Sequence, residues 1–309
     1  MNLDESNWYS IAAVERDTGL GKDTLRVWER RYGFPAPRRD AVGERCYSPE
    51  QVEKLRIIKR LLDAGHRPGH LVALEVDELH GLTAVTKSAP KKPPPADPEL
   101  RAELHAIVDL LQTHQIAAVR RSLSRLQMRM GLAAFISDAL VPLNTMVGDA
   151  WMRGGLEIYG EHAFSEVQQI VLRQALAGLV DPGIARPRVL LSTFPGEPHG
   201  LGLLLAEAVF AIDGAQCLSL GPQTPIWDIV LAAQAYRSDI VALGFTACLN
   251  PNLIVDGLTE LRSKLPPEVA VWVGGSAPVL FRRPIAGVTA LRELGAIHGS
   301  LLDWHRNRS

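Results

Sequence analysis

Phe194-Pro195-Gly196-Glu197-Pro198-His199-Gly200-Leu201-Gly202 follows the apolar run Val189-Leu190-Leu191-Ser192 and precedes Leu203-Leu204-Leu205-Ala206-Glu207-Ala208-Val209-Phe210. The order reads as strand, Gly-rich loop, helix. Loop glycines allow tight turns and the close approach of a ligand. His199 falls at the carboxyl end of the strand, where ligands bind in an open α/β sheet. An imidazole there can ligate a metal through one nitrogen while a neighbouring acid orients the other. Glu197 is such an acid.

Downstream, apolar runs at Gln216–Leu220, Asp239–Phe245, Val269–Val273 and Val288–Ala290 read as strands. Helical stretches lie near Ile226–Ala235 and Leu253–Leu265. This alternation predicts a Rossmann-like, doubly wound parallel sheet over residues 184–309. Thr246-Ala247-Cys248 follows one strand and Gly274-Gly275 follows the next.

Upstream, residues 97–183 carry four helical periods. Leu100, Leu104, Ile107 and Leu111 mark the first, and Val119, Leu123 and Leu126 the second. The third runs from about Met130 to Arg153 and the fourth from about Leu156 to Leu179. Short connections predict a four-helix bundle. Nine residues separate Trp151 from the pair Glu161-His162, Ile158 among them.

Residues 1–75 differ in character. Ser10 caps a short helix, Thr18-Gly19-Leu20-Gly21 turns, and Lys22–Tyr32 forms a second helix, the pattern of a helix-turn-helix. Leu25 and Trp28 share its inner face. Pro35–Tyr47 reads as a small hairpin, or wing, and Ser48-Pro49 starts a third helix. Between residues 22 and 60, eleven Lys or Arg face six Asp or Glu, although the whole chain carries a formal charge of −1. A local basic surplus on this framework is the footprint of a phosphate-binding face. Residues 76–96 form a linker, and four prolines fall within positions 93–98 at its end. Such a stretch cannot continue a helix.

The fold expected is therefore multidomain, α and α/β. It comprises an N-terminal winged helix-turn-helix, a linker, a four-helix bundle and a C-terminal Rossmann-like sheet. No apolar run approaches the roughly 20 residues of a membrane span. The start lacks the pattern of a signal peptide. The three cysteines, Cys46, Cys217 and Cys248, are widely spaced. They suggest neither a disulfide framework nor a zinc site. A cytoplasmic protein is expected.

Three resemblances sharpen this reading. Thr24–Tyr32, Arg38-Arg39 and Arg45-Cys46-Tyr47-Ser48 resemble the MerR family of winged-helix regulators. The resemblance implies binding to double-stranded operator DNA. Lys22, Thr24, Arg26 and Arg30 then belong to the recognition helix, and Arg38, Arg39, Arg45 and Tyr47 to the wing and its phosphate contacts. Many members dimerise through a long helix where this chain has its proline-rich linker. Self-association is thus expected through the C-terminal half.

Glu197-x-His199-x-x-Gly202 resembles the lower-ligand signature of cobalamin-binding domains, with Glu in place of the usual Asp. It implies that His199 ligates cobalt from below, with the nucleotide tail displaced into the protein. Thr246 takes the place of the usual tail-contacting Ser, Cys248 that of a Leu, and Gly274-Gly275 the later glycine pair. Trp151-x9-Glu161-His162 resembles the cap of adenosylcobalamin-dependent photoreceptor repressors of the CarH/LitR type. There Trp151 and Ile158 cover the upper axial group, Glu161 meets the adenosyl sugar, and His162 takes the upper cobalt position after light breaks the Co–C bond. The resemblance implies a dark tetramer of paired dimers that binds operator DNA and dissociates in light. A cobalamin- or tetrapyrrole-binding regulator without light sensing stands as the alternative. A cobalamin-dependent mutase or methyltransferase is not expected, because the chain has no room for a substrate barrel of about 250 residues.

Overall fold

The computed structural model describes residues 8–40, 42–63, 66, 68–76, 78–79, 82, 97–179 and 187–307. Most of the expected linker at 76–96 lies outside the described residues, and so does the Ile158 side chain. The chain divides into two compact units, Met1–Pro90 and Lys91–Ser309.

The first unit runs β1 (Tyr9–Ser10), α1 (Ile11–Thr18), α2 (Lys22–Tyr32), β2 (Arg38–Arg39), β3 (Arg45–Tyr47), α3 (Pro49–Asp63) and α4 (Pro68–Leu71). Ser10 caps α1 by accepting a bond from the Ala13 N–H at 3.2 Å. Gly19, in the left-handed region at φ 69°, ends the helix with its N–H on the Glu15 carbonyl. That turn needs a residue free of a Cβ penalty. Helix α2 covers the predicted span and buries Leu25 and Trp28. They pack in a core that also holds Val14, Val52, Leu55, Ile58 and Leu61. β3 is the middle strand of an antiparallel sheet in the order β1-β3-β2. Arg56 clamps Asp17 through two bonds of 2.8 and 3.1 Å, tying α3 to α1.

The second unit begins with the bundle. Its helices are α5 (Pro98–Gln112), α6 (Ile116–Met130), a third helix in three parts, and α9 (Ile158–Ala177). The third helix consists of α7 (Leu132–Ala134), a π-helical stretch (Phe135–Leu140) and α8 (Val141–Met152). Asp97 caps α5 by accepting from the Glu99 N–H at 2.9 Å. Gly131, at φ 75° and ψ 161°, separates α6 from α7. The sequence periodicity predicted one regular helix from about residue 130. The π-helical stretch departs from that because it turns Phe135, Ile136, Ala139 and Leu140 together into the core.

The sheet follows: β4 (Arg188–Ser192), α10 (Leu201–Ile212), β5 (Gln216–Gly221), α11 (Ile226–Ala235), β6 (Ile240–Phe245), α12 (Pro251–Lys264), β7 (Ala270–Gly275), α13 (Val279–Arg282), β8 (Val288–Leu291) and α14 (Ala296–Arg306). The five strands are parallel, in the order β5-β4-β6-β7-β8. The chain thus moves outward from β4 first one way, then the other. The switch lies between β4 and β6, whose carboxyl ends flank the crevice where such sheets bind ligands. Helix α10 is apolar nearly all round because it is covered on both sides. Leu204, Leu205 and Ala208 join the bundle core. Leu203 and Phe210 pack on the sheet with Val189, Ala242 and Trp272. No described helix is long and apolar enough to cross a membrane.

Candidate functional site

Two loops meet at the switch point. Phe194 opens the first loop and sets its ring edge-on against Phe245, the last residue of β6, at 5.1 Å between centroids. Thr193 donates its hydroxyl to the Glu197 carbonyl at 2.6 Å and accepts from the Gln223 N–H at 2.8 Å. These contacts bring Glu197 over the end of β6. Its carboxylate is fully buried. It accepts from the Thr246 N–H at 2.6 Å and from the Thr246 hydroxyl at 2.9 and 3.1 Å.

The same carboxylate lies 2.6 Å from His199 Nδ1. Burial pushes the Glu197 carboxyl up, and the hydrogen bonds from His199 and Thr246 outweigh it, leaving the group at about 2. A buried anion that holds Nδ1 fixes the orientation of the ring. The His199 side chain is 55% exposed. The arrangement is a rigid, charge-oriented imidazole at the mouth of a parallel sheet, suited to ligating a metal from one side.

The glycines at this rim fall into two kinds. Gly275 has φ 112°, and a Cβ there would sit 2.1 Å from the Phe245 carbonyl oxygen. It is required by the protein itself, where β7 runs against the end of β6. A Cβ on Gly202 would meet nothing within 4 Å. Nothing in the protein requires that glycine, and its open space lies in the first turn of the helix behind His199. Gly274 pairs with Gly244 in the same register. Thr246 and Gly274-Gly275 thus stand at the carboxyl ends of adjacent strands.

Trp151 lies in the last turn of α8, half-buried against the bundle core. Glu161 and His162 lie in the first turns of α9, at the same end of the bundle. Glu161 accepts from the Ser165 hydroxyl at 2.8 Å and faces His162 Nδ1 at 3.0 Å. The His162 side chain is 73% exposed.

Cys248 is the member the sequence reading passed over as a site residue. Its Sγ lies 3.4 Å from Glu197 Oε2 and 3.8 Å from His199 Nδ1. Nothing in the spacing of residues 197, 199 and 248 announces this. The signal was positional, since both segments follow strands that prove to be neighbours.

On the first unit, Arg26, Arg30, Arg38 and Arg39 are exposed, and Lys22 and Thr24 are partly so. Lys22 pairs with Glu15 at 3.5 Å and Arg26 with Asp23 at 3.1 Å. Two expected wing contacts read differently. Tyr47 is fully buried, hydroxyl included, because the middle strand turns it into the core, and it offers no surface to a phosphate. Arg45 is held by Glu29 through bonds of 2.8 and 3.4 Å, which fasten the wing to α2.

Residues 9–74 match the model of the MerR HTH family regulatory protein. The chain is 30% identical over 270 residues to the HTH-type transcriptional repressor CarH of Myxococcus xanthus, covering 87% of this chain and 89% of that protein. It is 32% identical over 263 residues to the repressor CarA of the same organism, covering 84% and 85%. The solved monomethylamine corrinoid protein of Methanosarcina barkeri is similar in fold, with a TM-score of 0.52 at 15% identity over 64% of this chain and 96% of that one. A helix-turn-helix unit, a bundle and a parallel sheet whose switch point carries an oriented histidine, matched along most of their length by two such repressors, place the chain in the CarH type of MerR-family regulators.

Proposed function

We propose that this chain is a transcriptional repressor that binds operator DNA through its first unit and a cobalamin through its second. The observation that carries the reading is the buried Glu197 carboxylate holding Nδ1 of a half-exposed His199 at the sheet's switch point. The residues fit the group. His199, oriented by Glu197 and half-exposed, would hold the cobalt. Gly202, exposed in the first turn of the following helix, offers backbone with no protein atom within 4 Å of where a Cβ would stand. Thr246, Gly274 and Gly275, at the carboxyl ends of adjacent strands, would meet the nucleotide tail. The double coverage of α10 argues for a bundle that caps the same ligand.

The finer reading is a light-responsive repressor that uses adenosylcobalamin. When bound, that cofactor supplies a light-labile cobalt–carbon bond. Trp151 and, by the resemblance, Ile158 would shield the bound cofactor from water, and Glu161 would offer an acceptor to its adenosyl sugar. His162, exposed on α9, would supply a second imidazole to the cofactor. Darkness then favours an assembly of dimers and tetramers through the C-terminal half. Several DNA-binding units on one operator raise the apparent affinity without any new contact.

Adenosylcobalamin added in the dark should give a red-shifted corrinoid spectrum, an oligomer larger than a dimer, and operator binding that collapses under green light. Hydroxocobalamin should give none of the assembly. Equal sizes with both forms would reject adenosyl-dependent assembly. Uptake with no light effect would reject the photoreceptor reading alone. No uptake, or uptake unchanged in His199→Ala, would reject the ligand assignment.

A further inference from the structure

Cys248 has no part in the function proposed above, yet it completes a three-residue cluster. One ligand atom from each of Glu197, His199 and Cys248 lies within 4.8 Å of the others. We propose that in the corrinoid-free protein these three residues form a site for a zinc-class divalent cation.

The separations carry the argument. Tetrahedral zinc, with bonds of about 2.3 Å to sulfur and about 2.0–2.2 Å to nitrogen or oxygen, holds its ligand atoms about 3.4–3.6 Å apart. Cys248 Sγ already lies 3.4 Å from Glu197 Oε2 and 3.8 Å from His199 Nδ1. The other carboxylate oxygen, Oε1, lies 2.6 Å from His199 Nδ1 in a hydrogen bond. A cation replaces the proton in that bond and takes one of the two oxygens as its ligand. The Thr246 N–H, at 2.6 Å from Oε2, keeps the carboxylate in place as it does so.

The donor set points the same way. A thiolate, an imidazole and one carboxylate suit zinc or cobalt(II) and not magnesium or calcium, which take oxygen ligands. Binding releases the thiol proton to solvent, and the Nδ1 proton passes through solvent to Nε2, so that the ring ligates as a neutral imidazole. Three protein ligands leave the fourth position to water, on the side where His199 is exposed. This cation and a corrinoid held by His199 draw on the same imidazole, a consequence that rests on the function proposed above.

Cobalt(II) is the probe. Full-length, corrinoid-free protein is titrated with Co2+ and followed by absorbance. A thiolate-to-cobalt charge-transfer band in the near ultraviolet should grow, saturate at a single equivalent and vanish on addition of zinc. Cys248→Ser and His199→Ala should lose the band. The double variant Cys46→Ser, Cys217→Ser should keep it. Zinc should raise the melting temperature of the wild-type chain and not that of Cys248→Ser. No charge-transfer band in the wild-type chain overturns the proposal, whatever the variants do. A band that survives Cys248→Ser, or that disappears in the double variant, overturns it as well. No corrinoid enters this titration, so its failure leaves the cobalamin reading standing, and failure of cobalamin uptake leaves this one.

Discussion

Glu197 does two jobs at the scale of one residue. It anchors the loop to β6 through Thr246 and it orients His199. Its folded value of about 2 lies below the ordinary 4.5. A depressed carboxyl contributes stability that is fully present above about pH 4.5 and is lost as pH falls towards about 2. Glu197→Gln should therefore flatten the dependence of stability on pH within that window. At neutral pH the variant should cost about 1.5–3 kcal/mol by urea denaturation, the usual worth of a hydrogen-bonded charge. A pH profile parallel to the wild-type curve would show that the carboxylate is not the group responsible. Cys217 contrasts with Cys248. Burial pushes its thiol up to about 12. It should resist alkylation at pH 8 in the folded chain and react only on unfolding, as mass spectrometry of the labelled peptides would show.

At the scale of elements, the two rim glycines separate stability from binding. Gly275→Ala puts a Cβ against the Phe245 carbonyl at a positive φ. It should destabilise the second unit by on the order of 2–3 kcal/mol. Gly202→Ala meets no atom. In a helical turn it should be neutral or stabilising by up to about 1 kcal/mol, and it should weaken cobalamin uptake. Melting curves paired with corrinoid titrations decide the matter; unchanged uptake would remove Gly202 from the site. In the first unit, Arg26→Ala should lower DNA affinity and reduce the salt slope by about one, with little loss of stability. Arg45→Ala removes the clasp on Glu29 and should cost about 1 kcal/mol of stability. The element boundaries were legible because their signals are local: Ser10 as a cap, Gly19 in a turn, Leu25 and Trp28 on one face. The π-helical stretch was not, since α-helical periodicity has no way to register a turn widened to suit its neighbours.

The whole molecule joins a small DNA-binding unit to a larger one in which bundle and sheet share helix α10. A chain of residues 91–309 should fold, take up cobalamin and fail to bind operator. Cutting again near residue 183 strips the apolar faces of α10 and the bundle from each other. Both pieces should then aggregate or expose dye-binding surface, and a soluble, cooperatively melting bundle would contradict the shared core.

Much of this protein was decided by the order of its residues. Alternating apolar runs specified a parallel sheet, helical periods specified a bundle, and basic residues on a helix-turn-helix specified a phosphate-binding face, because these patterns act over a few residues. The pair Glu197 and His199 was legible for the same reason, being two residues apart in one loop. Which residues close around them was not. Thr246 and Cys248 reach Glu197 only because the strand order puts β6 beside β4. Tyr47 looked like a surface residue of the wing until the middle position of its strand buried it. Long-range neighbours are set by strand order and packing, and spacing along the chain does not record them.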